Sequence, residues 1–176
     1  DITKIAELQG IERTLQGWRF GAAVTWSDIL TADLPNCFAG LKAAAREVGS
    51  VQIQNVATLA GNLCNASPAA DGVPPLLTLD AAVEIASLSG VRSVPLTEFV
   101  LGVRQTALQP GEMVTAVTVP VLPVHVSEGV GCFIKIGARK YLVISITMVA
   151  ALVAVADGKI AEARVAVGAC STVAQR

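Results

Sequence analysis

Between positions 57 and 71 the chain places Thr58, Asn62, Asn65 and Ser67, all short and able to hydrogen-bond, around the small pair Ala60-Gly61. Neither member of that pair projects much side chain, so a bulky ligand can come close to the backbone. Exposed N–H groups among small residues form anion-binding concavities of the kind that suits a diphosphate. Asp71 can accept hydrogen bonds from a pair of ribose or ribityl hydroxyls, and Pro68 restricts the stretch and helps to preorganise it. The same residue types also describe an ordinary surface loop between a strand and a helical turn.

The other residues capable of chemistry are scattered. Cys37, Cys64, Cys132 and Cys170 form no CxxC pair, and His125 is the only histidine, lying between valines as a surface residue. Iron–sulfur and structural zinc sites take ligands in close local pairs, so no metal site is expected within this chain. Four free, mostly buried thiols in a reducing compartment is the expected state. Lys135 reads, on its own, as a strand-edge lysine. Gly129-Val130-Gly131 lacks the third glycine and the following helix of a dinucleotide-binding fingerprint.

The whole chain has 176 residues, 53% of them apolar and 15% charged, enough for one domain or two small ones with a substantial core. A net charge of −1 without blocks of like charge, and only 4% aromatics, argue against nucleic acid or an anionic membrane as partner. The N-terminus lacks the basic and apolar regions of a signal peptide and has no initiator methionine. The most apolar run, 141–156, falls short of the about 20 residues a membrane helix needs and is rich in β-branched residues, which predicts a buried strand.

The elements that must position the 57–71 stretch follow from pattern. Short strands are expected around Gly10, Gly17 and Gly21, then a short helix through Leu30 with Thr25 and Asp28 as a capping arrangement. Phe38, Leu41, Ala45 and Val48 recur at helical spacing, with Asn36 as cap and Gly49 as stop. Residues 51–56 alternate like a strand. Pro74-Pro75 marks the loop exit, followed by at most a helical turn over 76–79. A hairpin is predicted from 82–88 and 91–96 with Ser89-Gly90 as its turn, and Pro110-Gly111 turns into a strand over 113–119 that Pro120 stops. Residues 121–131 read as a linker. Beyond it come a strand over 132–136, the apolar strand, an Asp157-Gly158 turn and a strand over 161–169. The fold class is α+β, with a domain over 1–120 and the start of a second over 132–176.

One resemblance runs through all of this. Gln54-Asn55-Val56-Ala57-Thr58-Leu59-Ala60-Gly61-Asn62, then Ser67-Pro68-Ala69-Ala70-Asp71 and Leu77-Thr78-Leu79-Asp80-Ala81, resembles the FAD-binding domain of the molybdenum hydroxylases. That family includes xanthine dehydrogenase and the medium subunit of aerobic carbon monoxide dehydrogenase, and its hallmark is T-[IL]-G-G-N followed by S-P-x-x-D. Asp1-Ile2-Thr3 through Leu8, Pro110-Gly111-Glu112-Met113-Val114, Phe133-Ile134-Lys135 through Arg139, Val143-Ile144-Ser145-Ile146 and Ala163-Arg164-Val165-Ala166-Val167-Gly168 resemble further family landmarks, in order.

The resemblance implies a FAD-binding domain of the vanillyl-alcohol oxidase and p-cresol methylhydroxylase type, then the start of a small α+β C-terminal domain. By it, Thr58, Ala60, Gly61 and Asn62 wrap the diphosphate and ribityl region, and Cys64 and Asn65 contact the cofactor's chain and ring. Asp71 bonds its hydroxyls, Val114 packs on the FAD, and Lys135 stabilises reduced flavin. No catalytic acid, base or nucleophile is implied. Ala60 stands where the family usually has glycine, and its methyl fits only with a negative φ. The family's first, glycine-rich flavin loop lies upstream of the residue matching Asp1, so the chain reads as truncated at both ends, with weakened flavin affinity.

The implied function is electron transfer in the cytoplasm. A molybdopterin large subunit and an iron–sulfur small subunit are the expected partners, and NAD, oxygen or a quinone is the acceptor. Two alternatives stand beside it: a flavin-free regulatory or assembly module of the same fold, and a vanillyl-alcohol oxidase-type flavoprotein oxidising its own substrate.

Overall fold

The structure, a computed structural model, describes residues 2–140 and 142–176. Asp1, which opens the family match, and Tyr141, which opens the expected apolar strand, lie outside the described residues. The chain runs β1 (Ile11–Thr14), β2 (Gly17–Gly21), α1 (Trp26–Thr31), α2 (Ala39–Glu47), α3 (Val51–Gln54), α4 (Leu59–Cys64), α5 (Val73–Thr78), β3 (Ala82–Ser87), β4 (Gly90–Pro95), α6 (Leu96–Phe99), β5 (Val100–Gly102), β6 (Gln105–Thr106), β7 (Met113–Pro120), α7 (Val124–Ser127), β8 (Val130–Ile136), β9 (Thr147–Ala156) and β10 (Lys159–Gly168). Short 3₁₀ turns precede β1 and α2. Helices and sheets are both present, as the α+β class requires.

Five antiparallel strands form a sheet in the order β1-β2-β7-β3-β4, and β10-β9-β8 form a second sheet. One face of the larger sheet is apolar at every second residue, as with Val83 and Ile85 of β3, and it packs against the helices. Phe38, just before α2, meets Phe20 and Trp18 of β2 at ring-centroid distances of 5.8 and 5.7 Å. Leu41 and Ala45 of α2 join this core, while Ala44 faces Phe133, Met148 and Ala150 of the smaller sheet. The helices thus form a middle layer. Leu152, Ala166 and Val126 extend the main core into the second sheet, beside the small separate cluster around Ala44.

Two glycines set the approach of α2 to β8. A Cβ on Gly40 would lie 2.9 Å from the Cys132 carbonyl oxygen, and one on Gly131 would lie 2.6 Å from that of Cys37. Backbone meets backbone there, which no other residue permits. Gly131, unexplained as part of a nucleotide fingerprint, has a packing role.

Several sequence expectations hold. The Thr25–Asp28 capping box is present, α2 ends before Gly49 (φ 54°), and Asp157-Gly158 turn at φ 52° and 70°. Others need correction. Residues 51–56 are not a strand: α3 occupies 51–54, and among the described residues no strand pairs with the segment. Its Gln54 is buried and donates to the Arg46 and Val48 carbonyls at the end of α2, while Val51 and Ile53 are exposed.

Asn36 does not cap α2, because a 3₁₀ turn over Asn36–Phe38 intervenes. Helix α5 begins at Val73 and takes Pro74 and Pro75 into its first turn, where a missing N–H costs nothing. Ser87 pairs with Gly90, so Leu88 and Ser89 make the hairpin turn. The apolar strand starts only at Thr147, because Ser145 is turned inward to a carboxylate. Residues 121–131 include α7, whose Val126 is fully buried. Of the four free cysteines only Cys37 is buried. No helix among the described residues is long and apolar enough to cross a membrane.

Candidate functional site

The stretch expected as a loop over 57–71 is built around α4. Thr58 takes the extended N-cap conformation, and its Oγ1 accepts the Gly61 N–H at 2.9 Å. This satisfies one of the donors a helix start leaves open. Leu59, Ala60 and Leu63 point into the core, so Gly61, Cys64 and Asn65 line the outer side. Ala60 sits inside the helix with no positive φ, which is the condition its methyl needed.

The start of α4 is tied to the start of α1. Thr25 and Thr58 form a β-bridge, Leu59 N–H donates to the Val24 carbonyl at 3.1 Å, and Trp26 N–H to that of Ala57 at 3.2 Å. Two capped helix starts therefore lie side by side. Beside the start of α1 opens a cleft of about 750 Å³ lined by Gly10, Ile11, Ala23, Thr25, Asp28 and Asn55, none of them within the 57–71 stretch. A groove of about 680 Å³ on the outer face of the larger sheet contains none of the 57–71 residues. It carries no part of this site.

Gly61 is the open point of the turn. Apart from its chain neighbours and the helix's own backbone, a Cβ there would meet only its own cap, Thr58 Oγ1, at 2.9 Å among the described residues. Asn62 braces the return of the chain, its Oδ1 accepting from Gly72 N–H at 3.2 Å. Asn65 is held by Arg104, whose guanidinium donates to the Asn65 carbonyl at 3.2 Å and to its side-chain oxygen. Arg104 N–H also donates to the Ala66 carbonyl at 2.9 Å. Both Ala66 (φ 45°) and Arg104 (φ 58°) are left-handed non-glycine residues, a conformation that costs energy and concentrates at functional sites. Cys64 is exposed as a residue, yet the protein packed around its thiol pushes its pKa up; it is a neutral thiol near pH 7. Val114 lies buried on β7, the strand against which α4 packs.

Asp71 and Lys135 are brought together, away from solvent. Lys135 Nζ lies 2.6 Å from Asp71 Oδ2, with side chains 6% and 8% exposed, and also donates to the Glu47 carbonyl. Ser145 Oγ donates to Asp71 Oδ1 at 2.7 Å. Sequence reasoning missed Ser145 and Arg104. Neither had a local signal: each matters through a partner tens of residues away. Among the described residues no group of three or more His, Cys, Asp or Glu could hold a metal ion.

With this geometry in view, the comparisons with known proteins are specific. Residues 1–122 match the family described as the FAD binding domain in molybdopterin dehydrogenase, and the chain belongs to that family. It is 36% identical over 171 residues to the xanthine dehydrogenase FAD-binding subunit of Escherichia coli O157:H7, covering 96% of this chain and 58% of that one. Among solved structures it is similar to quinoline 2-oxidoreductase from Pseudomonas putida 86 (TM-score 0.85, 29% identity, 99% of this chain and 59% of that chain). It also shares its fold with a carbon monoxide dehydrogenase from Oligotropha carboxidovorans (TM-score 0.85, 24% identity, 96% and 58%). The chain thus spans under two thirds of the length of these relatives.

Proposed function

We propose that this chain holds FAD and serves as the electron-transferring flavin module of a molybdenum-containing hydroxylase or dehydrogenase. The observation that carries the reading is the Thr58-capped turn, whose one side-chain-free position, Gly61, faces outward. This donor set fits a diphosphate and its neighbouring hydroxyls: Thr58, Ala60, Gly61 and Asn62 present a small-residue backbone, and Cys64 and Asn65 continue the same turn. Val114 supplies an aliphatic wall from β7. When bound, FAD would supply interconversion between one-electron and two-electron transfer. On this reading the residues of this chain bind and orient it, without serving as acid, base or nucleophile.

On this reading substrate is oxidised at molybdopterin in a large subunit, and electrons arrive through iron–sulfur clusters of a small subunit. They leave to NAD, oxygen or a quinone. The cytoplasm is the compartment proposed, in keeping with four free cysteines. The division into a FAD-binding part over 1–120, a connection over 121–131 and the start of a C-terminal part over 132–176 belongs to the same proposal. It is supported by a family match ending at residue 122 and by the separate sheets.

The test is direct. The purified chain is incubated with FAD, passed through gel filtration, and its flavin absorbance and fluorescence quenching are read. A yellow protein with quenched flavin is expected. A colourless protein across all FAD concentrations would move the reading to a flavin-free module of the same fold.

A further inference from the structure

We propose that Lys135 and Ser145 are positioning residues for the cofactor turn, holding it through Asp71 from β8 and from the residues just before β9; this rests on the FAD reading above. The residues matched by the FAD-binding family end at 122. Both oxygens of Asp71, the last residue of the 57–71 stretch, are nevertheless taken by residues beyond that point. Oδ2 takes Lys135 at 2.6 Å and Oδ1 takes Ser145 at 2.7 Å, across 64 and 74 positions of sequence. A further link runs the same way, with Ala169 N–H donating to the Pro68 carbonyl at 3.0 Å.

Burial makes these bonds decisive. Asp71 is 6% exposed and its carboxylate is matched by one ammonium and one hydroxyl. Lys135 is itself anchored by the Glu47 carbonyl at the end of α2, so the ammonium joins three elements at one point. A buried charge deprived of its partner is strongly destabilising, whereas removing both partners together is tolerated far better. From Asp71 the chain runs directly into Gly72, whose N–H is bound by Asn62 of α4. Displacement of Asp71 therefore moves the brace of the cofactor turn. The 1–122 part lacks both residues that match this carboxylate.

Four proteins decide the matter: the 176-residue chain and its Lys135→Met, Lys135→Arg and Asp71→Asn/Lys135→Met variants. Hydrogen–deuterium exchange is read for peptides over 57–72 and, as a control for general loosening, over 82–95; FAD affinity is read by flavin fluorescence. Lys135→Met should raise exchange over 57–72 by roughly a hundredfold while 82–95 stays unchanged, and should weaken FAD binding in parallel. Lys135→Arg and the double variant should each recover most of both losses.

Equal loosening of both peptides, or none in either, overturns the proposal. A double variant that regains protection over 57–72 without regaining FAD also overturns it, because Asp71 would then touch the cofactor rather than position the turn. If the unaltered chain takes up no FAD, the function reading fails, and the exchange of 57–72 alone then decides whether the latch exists.

Discussion

Gly61 shows how little of a residue's role is visible in its type. Its φ is helical, so the glycine is not there for conformational freedom. It is there because a Cβ would press on Thr58 Oγ1 and fill the outward face. In Gly61→Ala the gain of about 1 kcal/mol in helix propensity offsets the crowding of the cap, so stability should barely change. On the proposed FAD reading, affinity should fall by about tenfold or more, since the methyl would stand on the face proposed for the ligand. Urea denaturation beside a flavin titration checks both halves, and undiminished affinity would remove Gly61 from the site. Thr58, Asn62 and Asn65 stood out for their short hydrogen-bonding side chains and Ala60 for its small size, but it was the resemblance that assigned them to a cofactor. The partners that orient them were not, since Arg104 and Gly72 reach the turn only through the fold.

Among the elements, the entry to β7 has the clearest electrostatic logic. Glu112, in the Pro110-Gly111-Glu112 turn, accepts two bonds from Arg92 of β4 at 2.7 Å each and the Gln109 N–H at 2.8 Å. Arg92 also holds the Ala107 carbonyl at 2.9 Å, so one ion pair fixes the whole approach to the strand carrying Val114. The Arg92 guanidinium first, and the Gln109 N–H second, hold the Glu112 carboxyl down at about 2, against an ordinary 4.5. A carboxyl lowered on folding stabilises the protein above its unfolded value and loses that contribution as pH falls through the folded one. The stability gap between the unaltered chain and Glu112→Gln should therefore be constant above about 4.5 and close between there and about 2. Urea denaturation across pH measures it; a gap that ignores pH would mean that the turn, not the charge, matters. Elements with local signals were read from sequence: the Thr25 capping box, the Asp157-Gly158 hairpin and the periodicity of α2. The segment 51–56 was misread because alternation of Val51, Ile53 and polar neighbours mimics a strand, and nothing local shows whether a strand pairs with it.

At the scale of the molecule, one apolar interior joins both sheets through the helical layer. Leu152 of β9 is fully buried in the same core as Phe20, Trp26 and Leu76. Leu152→Ala should cost about 2–5 kcal/mol, the range for truncating a buried leucine. The loss should register equally in far-ultraviolet circular dichroism and in the fluorescence of Trp18 and Trp26, which lie outside the second sheet. Coincident transitions are the expected result. If the tryptophan signal were untouched by Leu152→Ala, the sheets would be folding separately.

The sequence by itself determined the residue types of the 57–71 turn, the order of most strands and helices, and the family, since those depend on neighbours along the chain and on ordered short motifs. It left open which way the turn faces and what holds it. The tertiary structure decided that Gly61 faces outward, that Asp71 is closed off by Lys135 and Ser145, and that Asn65 is set by Arg104. Those outcomes rest on burial and on contacts between distant positions. A carboxylate aimed at a ligand and one locked in an ion pair look the same in sequence, and only the surrounding packing distinguishes them.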